Sequence, residues 1–375
     1  MRMYLSGGEV LWQGTPRAMD LGVEDGKLTE RAGGEKLDVS GCLVLPGFLD
    51  LHTHGGNGVD VNAADAEGLR TIGRFFATQG TAGWLCSVLT DTEEQTLWCI
   101  EQAKQVIGRP YDGAALLGIH LEGPCLSAAY KGAMPEHLLM KRADAALFEK
   151  YQKAAEGHIK YVTLSPEVEG VPELIPALEK MGITAAIGHS GADYATSMAC
   201  IRAGARSGTH VGNAMRLFHQ HEPAIFGAIL ESDLYCETIC DGRHLHPGSV
   251  RLYLKAKGWD RVVAITDSIM AAGLPDGNYK LGVNDVVVEE GDAKLPDGTR
   301  AGSTLTQVQA LRNLVKFTGR SAWECCRLMT ANPAALMGWG TKGTIAPGMD
   351  ADLVVLDRDL RVRHTIVGGR VVYSA

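Results

Sequence analysis

His52 and His54 stand two residues apart where the apolar run PGFLDLHTHG ends and gives way to glycine. In an extended strand, side chains two residues apart point to the same side, so both imidazoles can bind one metal ion. An isolated His-x-His pair is weak evidence, because such pairs are more often polar side chains near a strand end. Its meaning depends on which other side chains the fold brings beside it.

Other apolar runs also end on side chains that can bind a metal or carry a proton. Glu122 ends ALLGIHLEG, while His189 and His210 lie near the ends of ITAAIGHSG and ARSGTHVGN. Asp267 lies near the end of RVVAITDS. Imidazoles and carboxylates together suit zinc, iron or another divalent transition metal. If these ends converge, we expect one or two divalent transition-metal ions per chain, with zinc or iron most favoured.

The elements that carry these residues predict how they converge. Nearly continuous apolar runs alternate with helix-like segments such as DTEEQTLWCIEQAKQVIG, which is typical of a parallel sheet buried on both faces. Their number predicts an α/β fold, a (β/α)8 TIM-type barrel whose C-terminal strand ends meet on one face. The eight runs are CLVLPGFLDLH, GWLCSVLT, ALLGIHLEG, IKYVTLSPE, ITAAIGHSG, ARSGTHVGN, DLYCETICDG and RVVAITDS.

Both chain ends differ from this alternation. Short extended pieces punctuated by glycine, such as EVLWQG near the start and ADLVVLDRDLRVRHTIVGG near the end, indicate antiparallel β-structure. We therefore predict a small β-sandwich domain built from residues 1–45 and 341–375. Residues 46–340 form the predicted barrel.

The composition excludes several classes of protein. Of the 375 residues, 45% are hydrophobic and 21% charged, as in globular proteins with a sizeable core. A formal net charge of −8 gives no overall attraction to nucleic acid. No apolar run reaches the roughly 18 residues of a membrane span, and the polar start MRMYLSGGEVLWQG is unlike a signal peptide. Nine scattered cysteines indicate a reducing compartment, so we expect a cytoplasmic protein. From the charge and the lack of a membrane span, we expect neither nucleic-acid nor membrane partners.

PGFLDLHTHG together with the C-terminal GTIAPGMDADLVVLD resembles the amidohydrolase superfamily. The resemblance implies a metal-bearing barrel and a small β-domain made from both chain ends. The ordered set HLEGP, GHS, THVGNAM, DGRHLHP, TDSIMAAG and AGSTLT is similar to the branch that removes the acetyl group from N-acetylglucosamine-6-phosphate. The implied activity is hydrolysis of a linear amide in amino sugar catabolism, yielding glucosamine-6-phosphate and acetate.

The same resemblance implies roles for individual residues. Glu122, His189 and His210 match the ligands of the principal metal. His52 and His54 match a second metal site that some members have lost, with Glu122 as the bridge. Asp267 matches the catalytic aspartate, which would take a proton from water and pass it to the departing amine. The expected partners are a sugar phosphate substrate and a second copy of the chain in a homodimer, with His244 contributed across the interface. The expected substrate-binding residues are Ala133, Asn213, Ala214, His221, His244, Ala301, Gly302 and Ser303.

Two positions depart from the pattern of that branch. Met134 stands where a histidine usually helps to polarise the acetyl carbonyl, unless His137 replaces it. His221 stands where an arginine usually binds phosphate, and Arg216 or His219 could compensate. A requirement for the 6-phosphate is therefore less firmly indicated than the deacetylation itself.

Other activities stay open at this stage. The same chemistry could act on another N-acetyl amino sugar, such as N-acetylgalactosamine-6-phosphate. A cyclic-amide hydrolase usually needs a carboxylated lysine at the end of the fourth strand, whereas Lys160 stands at its start. A nucleobase deaminase has no natural use for Glu122, and a scaffold without catalysis would not need every ligand position filled. Cys236 and Cys240 lie within a strand-like run and indicate structural thiols rather than a zinc site.

Overall fold

The computed structural model describes residues 2–375. Within them, one eight-stranded parallel sheet forms the barrel, and each strand pairs with the next barrel strand along the chain. Its strands are buried throughout or nearly so, as a sheet covered by helices requires. The strands are β1 (Phe48–Asp50), β2 (Thr81–Leu89), β3 (Ala115–Glu122), β4 (Ile159–Leu164), β5 (Thr184–Ile187), β6 (Ser207–Gly208), β7 (Tyr235–Ile239) and β8 (Val262–Ile265).

The barrel closes just beyond the C-terminal ends of β8 and β1. The hydroxyl of Thr266 donates to the buried carboxylate of Asp50 at 2.7 Å, and burial raises the pKa of this carboxyl to about 6. The N–H of Asp267 donates to the carbonyl of His52 at 2.9 Å, and the N–H of His54 donates to the carbonyl of Ser268 at 2.7 Å. The closing contacts therefore hold both histidines and Asp267 in one place.

Helices follow the strands and cover the outside of the barrel. Asp65 begins the first of them as its N-cap, accepting from the N–H of Gly68 at 2.8 Å. The barrel helices are α1 (Ala66–Thr78), α2 (Glu93–Lys104), α3 (Ala145–Ala154), α4 (Val171–Lys180), α5 (Tyr194–Ala203), α6 (Ala224–Glu231), α7 (Pro247–Lys257) and α8 (Gln307–Thr318). Shorter helical segments are Val61–Ala63, Ala128–Tyr130, Glu136–Leu138, Ala322–Cys325, Cys326–Met329 and Ala331–Met337.

The two chain ends form two further sheets. They enclose a core of their own, in which Leu5, Val10, Trp12 and Val355 are buried. The strands of one sheet are Thr15–Ala18, Glu9–Trp12, Leu43–Pro46, Leu353–Leu356, Val362–Val367 and Arg370–Ser374, and those of the other are Lys27–Thr29, Leu21–Glu24, Arg2–Ser6 and Glu35–Asp38.

Two small sheets lie at the C-terminal face of the barrel. Gly55–Gly56 and Val59–Asp60 form a hairpin whose turn residues Asn57 and Gly58 have φ of 50° and 86°. Asn-Gly suits a turn that needs two positive φ values, which explains the glycine at position 58. A three-stranded sheet between β8 and α8 was not anticipated from the sequence. Its strands are Gly277–Leu281, Asn284–Glu289 and Asp292–Lys294.

The predicted fold class is confirmed: the chain is a (β/α)8 barrel with β-sheets built from both ends. The domain limits at 45/46 and 340/341 stay a prediction. The cysteines of residues 2–375 are all unpaired thiols. In the same part of the chain, no helix combines the length and apolar character needed to cross a bilayer.

Candidate active site

Six ligand-type side chains meet at the C-terminal mouth of the barrel. His52 and His54 follow β1, and Glu122 is the last residue of β3. His189, His210 and Asp267 each stand two residues beyond a strand, β5, β6 and β8 respectively. All six are at most 8% exposed. Strand ends remote in sequence therefore deliver the predicted residues to one buried point.

The backbone is strained at three of these positions. His189, His210 and Asp267 have φ of 47°, 27° and 51°, in the left-handed region that residues other than glycine rarely adopt. Such conformations cost roughly 1–3 kcal/mol each and persist where the surrounding structure enforces them. Here the strain turns three side chains sharply inward just after their strands.

Glu122, His189 and His210 form the first of two ligand groups. One carboxylate oxygen of Glu122 (Oε1) lies 3.1 Å from Nε2 of His189 and 3.3 Å from Nε2 of His210. The two imidazole Nε2 atoms are 3.0 Å apart. This matches the three residues that the sequence predicts for the principal metal.

His52, His54 and Asp267 form the second group. Nε2 of His54 lies 3.3 Å from Oδ1 of Asp267, and Nε2 of His52 lies 3.6 Å from the same oxygen. Glu122 stands between the groups, with Oε2 3.1 Å from His54 and Oε1 3.3 Å from His52. One carboxylate is thus placed to serve both groups.

The outward-facing ring nitrogens fix how the imidazoles are protonated. Nδ1 of His54 donates to the carbonyl of Ser87 at 3.0 Å, and Nδ1 of His189 donates to the carbonyl of Tyr130 at 2.9 Å. Because a carbonyl only accepts, each Nδ1 holds the proton and each Nε2 turns a lone pair inward. Lone pairs and carboxylates at about 3 Å from one another repel unless a cation lies among them. The donor set therefore fits a divalent transition metal in each group.

The electrostatics of the protein alone agree with this requirement for positive charge. Burial opposes ionisation of Glu122, but His52 and His54 outweigh it and hold its pKa well below the usual range. Burial would lower the pKa of His54, but the carboxylates of Glu122 and Asp267 raise it to about 9. The buried carboxylates are therefore stable only beside positive charge, which protonated histidines or bound metal ions can supply.

Two buried residues of the centre were missed by the sequence analysis. Glu237 on β7 lies 3.3 Å from Nδ1 of His52 and accepts from the hydroxyl of Tyr161 at 2.6 Å. His120 packs its ring 4.6 Å from that of His52 and hydrogen bonds to Thr163 at 2.9 Å. Two features of the sequence could have revealed them. Glu237 interrupts the apolar run YCETIC, and His120 is a further polar residue beside Glu122 in HLEGP.

A cavity of about 650 Å³ opens directly above the two ligand groups. Its floor includes His54, Glu122 and Asp267. Its walls come from the loops that follow β3, β6, β7 and β8, where the three-stranded sheet contributes Leu281. The space accommodates a ligand of the size of a sugar phosphate.

The predicted substrate-binding residues divide into three sets. Most of them line the cavity, namely Ala133, Asn213, Ala214, His244, Ala301 and Gly302. Ser303 is buried beside it, where its hydroxyl donates to the carbonyl of Thr266 at 2.6 Å and its N–H donates to the carbonyl of Asp267 at 2.7 Å. His221 is exposed on a loop and does not line the cavity. Its assignment to the substrate stays a prediction.

The structure also shows where the residues lie that depart from the pattern of the deacetylase branch. Met134 lines the cavity, whereas His137 is exposed and lines a different surface depression. His137 therefore does not take the place of the histidine that Met134 replaces. Lys131 and Arg300, which the sequence analysis did not assign to substrate, line the outer part of the cavity.

Residues invoked by the rival activities lie elsewhere. The ammonium of Lys160 donates to the carbonyl of Gly157 at 2.7 Å, at the N-terminal end of β4. Cys236 and Cys240 are buried in and just after β7, and burial raises the pKa of both thiols. Neither a bridging lysine nor a cysteine zinc site is present in the two ligand groups of the described residues.

A sequence profile of the amidohydrolase family matches residues 43–372, so the chain belongs to the amidohydrolase family. It is 37% identical to an N-acetylglucosamine-6-phosphate deacetylase of Bacillus subtilis (strain 168), over 94% of this chain and 92% of the relative. It is 32% identical to an N-acetylgalactosamine-6-phosphate deacetylase of Escherichia coli O157:H7, over 88% and 87%. A solved mutant of the Mycobacterium smegmatis N-acetyl-D-glucosamine-6-phosphate deacetylase, in complex with N-acetyl-D-glucosamine-6-phosphate, superimposes with a TM-score of 0.91 at 32% identity, covering 100% of both chains.

Proposed function

We propose that this protein hydrolyses the acetamido group of N-acetylglucosamine-6-phosphate, giving glucosamine-6-phosphate and acetate. The observation that carries the proposal is the pair of ligand groups that meet at Glu122, one of which includes Asp267, below an open cavity of about 650 Å³. The relatives that match the chain over nearly its whole length are deacetylases of N-acetyl amino sugar 6-phosphates.

The site's own residues supply the proton transfers. A divalent cation held by these ligands would polarise the amide carbonyl and lower the pKa of a bound water. Asp267 borders the cavity and is 8% exposed, so its carboxylate can take the proton of the attacking water. The same carboxyl then protonates the departing amine nitrogen, which leaves Asp267 ready for another turnover.

We propose two cation sites of zinc or iron type, in keeping with the nitrogen and oxygen ligands. Glu122, His189 and His210 would hold the principal ion. His52, His54 and Asp267 would hold the other, with Glu122 shared. The support is that each group offers ligand atoms that all lie within 4.8 Å of one another.

The outer cavity is proposed to bind the sugar phosphate. Lys131 and Arg300 line it and offer positive charge, and His244 lines it with its Nδ1 held by Asp241 at 2.7 Å. Arg300 contacts Asp292 through Nε and one terminal nitrogen, at 3.1 and 3.3 Å. Its other terminal nitrogen has no hydrogen bond among residues 2–375, which leaves donors for a phosphate oxygen.

A homodimer in the cytoplasm is proposed as the working form. Leu217 and Phe218 are 60% and 57% exposed, next to the loop that carries His221. A partner subunit that covers these apolar side chains would also bring its surface against His221. A chain whose described cysteines are unpaired suits a reducing compartment.

The proposal is tested by acetate release from paired sugars. We expect rapid release from N-acetylglucosamine-6-phosphate and slow release from unphosphorylated N-acetylglucosamine. N-acetylgalactosamine-6-phosphate is the second candidate, favoured by the relative that carries this name. Equal rates with and without phosphate would overturn the sugar-phosphate assignment, and no acetate from any of these sugars would overturn the deacetylase.

A further inference from the structure

Glu237 is a fully buried carboxylate inside the barrel, directly below the ligand groups. Its Oε1 accepts from the hydroxyl of Tyr161 at 2.6 Å. Its Oε2 lies 3.3 Å from Nδ1 of His52 and accepts from the backbone N–H of His210 at 3.2 Å. Three donors from three different strands or strand ends thus converge on one side chain.

The partner of His52 differs in kind from those of the other ligands. His54 and His189 have backbone carbonyls at Nδ1, which any sequence can supply. Nδ1 of His210 is buried and has no hydrogen-bond partner among the described residues. His52 alone of these four imidazoles is oriented by a carboxylate side chain, so its orientation depends on the residue at one distant position.

The carboxylate determines which ring nitrogen of His52 is free to bind a metal. An ionised carboxylate only accepts hydrogen bonds, so Nδ1 must hold the proton. Nε2 then keeps its lone pair and faces the centre, where Nε2 of His54 is 3.1 Å away. A carboxylate hydrogen-bonded to a ligating imidazole also makes that imidazole a stronger ligand.

The charge of Glu237 needs a cation that the surrounding side chains do not provide. Within residues 2–375 its ion-pair contact is with His52, and no lysine or arginine pairs with it. Burying an unpaired charge is expensive, so a buried carboxylate is retained where positive charge lies nearby. The positive charge of two divalent ions would exceed the negative charge of Glu122 and Asp267 together. The negative charge of Glu237 reduces that excess.

We propose that Glu237 is a positioning residue: through Nδ1 of His52 it makes His52, His54 and Asp267 competent to hold a second metal ion. Among the described residues, Glu237 contacts this first group through the backbone N–H of His210 alone, so we expect Glu122, His189 and His210 to depend much less on its charge. The inference rests on the proposed metal centre but not on the proposed substrate.

The test is titration of metal-free protein with Zn²⁺ alone, measured by calorimetry and checked by elemental analysis. Wild type should bind two ions. Glu237→Gln removes the charge and cannot accept from all three donors, so its second binding step should weaken by about 10- to 100-fold. Its first step should stay within about threefold of wild type. Because no substrate is used, the outcome is independent of whether the protein is a deacetylase.

Two further variants separate positioning from a general structural effect. Tyr161→Phe removes a hydrogen bond to Glu237 but keeps the carboxylate, so both binding steps should stay close to wild type. Glu237→Asp keeps the charge on a shorter side chain and should restore part of the second step, even if Glu237→Gln folds poorly. Circular dichroism establishes folding, and the ¹⁵N signal of His52 in labelled protein should report a protonated Nδ1 in wild type.

Three results would overturn the proposal. The first is that wild type binds a single ion under all conditions, so that no second step exists to be lost. Folded Glu237→Gln could bind two ions as tightly as wild type. Equal weakening of both steps in Glu237→Gln and in Tyr161→Phe would mean that the side chain only stabilises the barrel.

Discussion

The inner and outer parts of the cavity are built differently. The inner part consists of buried side chains on strand ends, such as His54, Glu122 and Asp267, each held by further hydrogen bonds or by the closing strands. The outer part consists of loop residues, of which Lys131 is half-buried and Arg300 is exposed. Every ligand position of the inner part is filled, whereas the departure at His221 lies on an exposed loop.

This difference indicates that the reaction depends on the inner part of the cavity and the recognition of the sugar phosphate on the outer part. Strand ends in a closed barrel cannot move independently, so the groups that are proposed to transfer protons are fixed by the whole sheet. Loops above them can change residue by residue without disturbing that sheet. The reaction should therefore be robust in this protein, and the preference for one sugar phosphate should depend on a few exposed side chains.

The largest effect is expected at Asp267, the carboxylate of the inner part that is proposed to transfer protons. Asp267→Asn keeps the shape but removes the proton acceptor, so kcat for acetate release should fall by at least about a hundredfold. The matched control is Asp297→Asn, because Asp297 lines the outer part of the same cavity. If the two variants lost activity equally, the separation between inner and outer parts would be refuted.

The next effect concerns metal content. Glu122→Gln removes the carboxylate that lies within 3.3 Å of all four imidazoles, so purified protein should lose most of its bound metal. Elemental analysis of the variant measures this directly. Glu167→Gln serves as the control, because Glu167 also follows a barrel strand but binds Ser190 and Gly191 instead. Full metal content in Glu122→Gln would remove Glu122 from the ligand set.

A smaller effect is expected in the outer part. Arg300→Ala and Lys131→Ala should each raise KM for N-acetylglucosamine-6-phosphate by roughly tenfold, since a hydrogen bond to a charged group contributes about 1.5 kcal/mol. The value of kcat should change little, and KM for the unphosphorylated sugar should not change. His221→Ala is measured beside them. A rise in KM with His221→Ala alone would place phosphate recognition on the exposed loop instead.

The smallest signal is expected from mixing subunits. His244 lines the cavity of its own subunit, whereas the sequence resemblance predicts a role across the interface. If the predicted role holds, co-refolding His244→Ala with Asp267→Asn should regain activity, because mixed dimers then contain an intact site. Each variant refolded alone is the control. If the mixture shows no more activity than the controls, His244 acts in its own subunit. The outer part of the cavity then consists of residues from one chain.

Much of the architecture followed from local patterns in the sequence. The alternation of apolar runs and helix-like segments predicted the barrel, because burial on both faces leaves a continuous apolar strand whatever its neighbours are. The same reasoning placed His52, His54, Glu122, His189 and Asp267 at strand ends. The strands at both chain ends were also anticipated. The three-stranded sheet of residues 277–294 was missed, because it interrupts the alternation with an inserted hairpin pattern.

The sequence by itself determined the residue types at the strand ends and hence the kind of chemistry, since both depend on short-range spacing. Only the tertiary structure decided which atoms those residues present to one another. Glu237 and His52 are 185 positions apart, and their contact exists only because β7 and β1 lie in one closed barrel. Likewise, no spacing reveals that Arg300 lines the cavity while His221 does not, because loop positions are set by what the loops pack against.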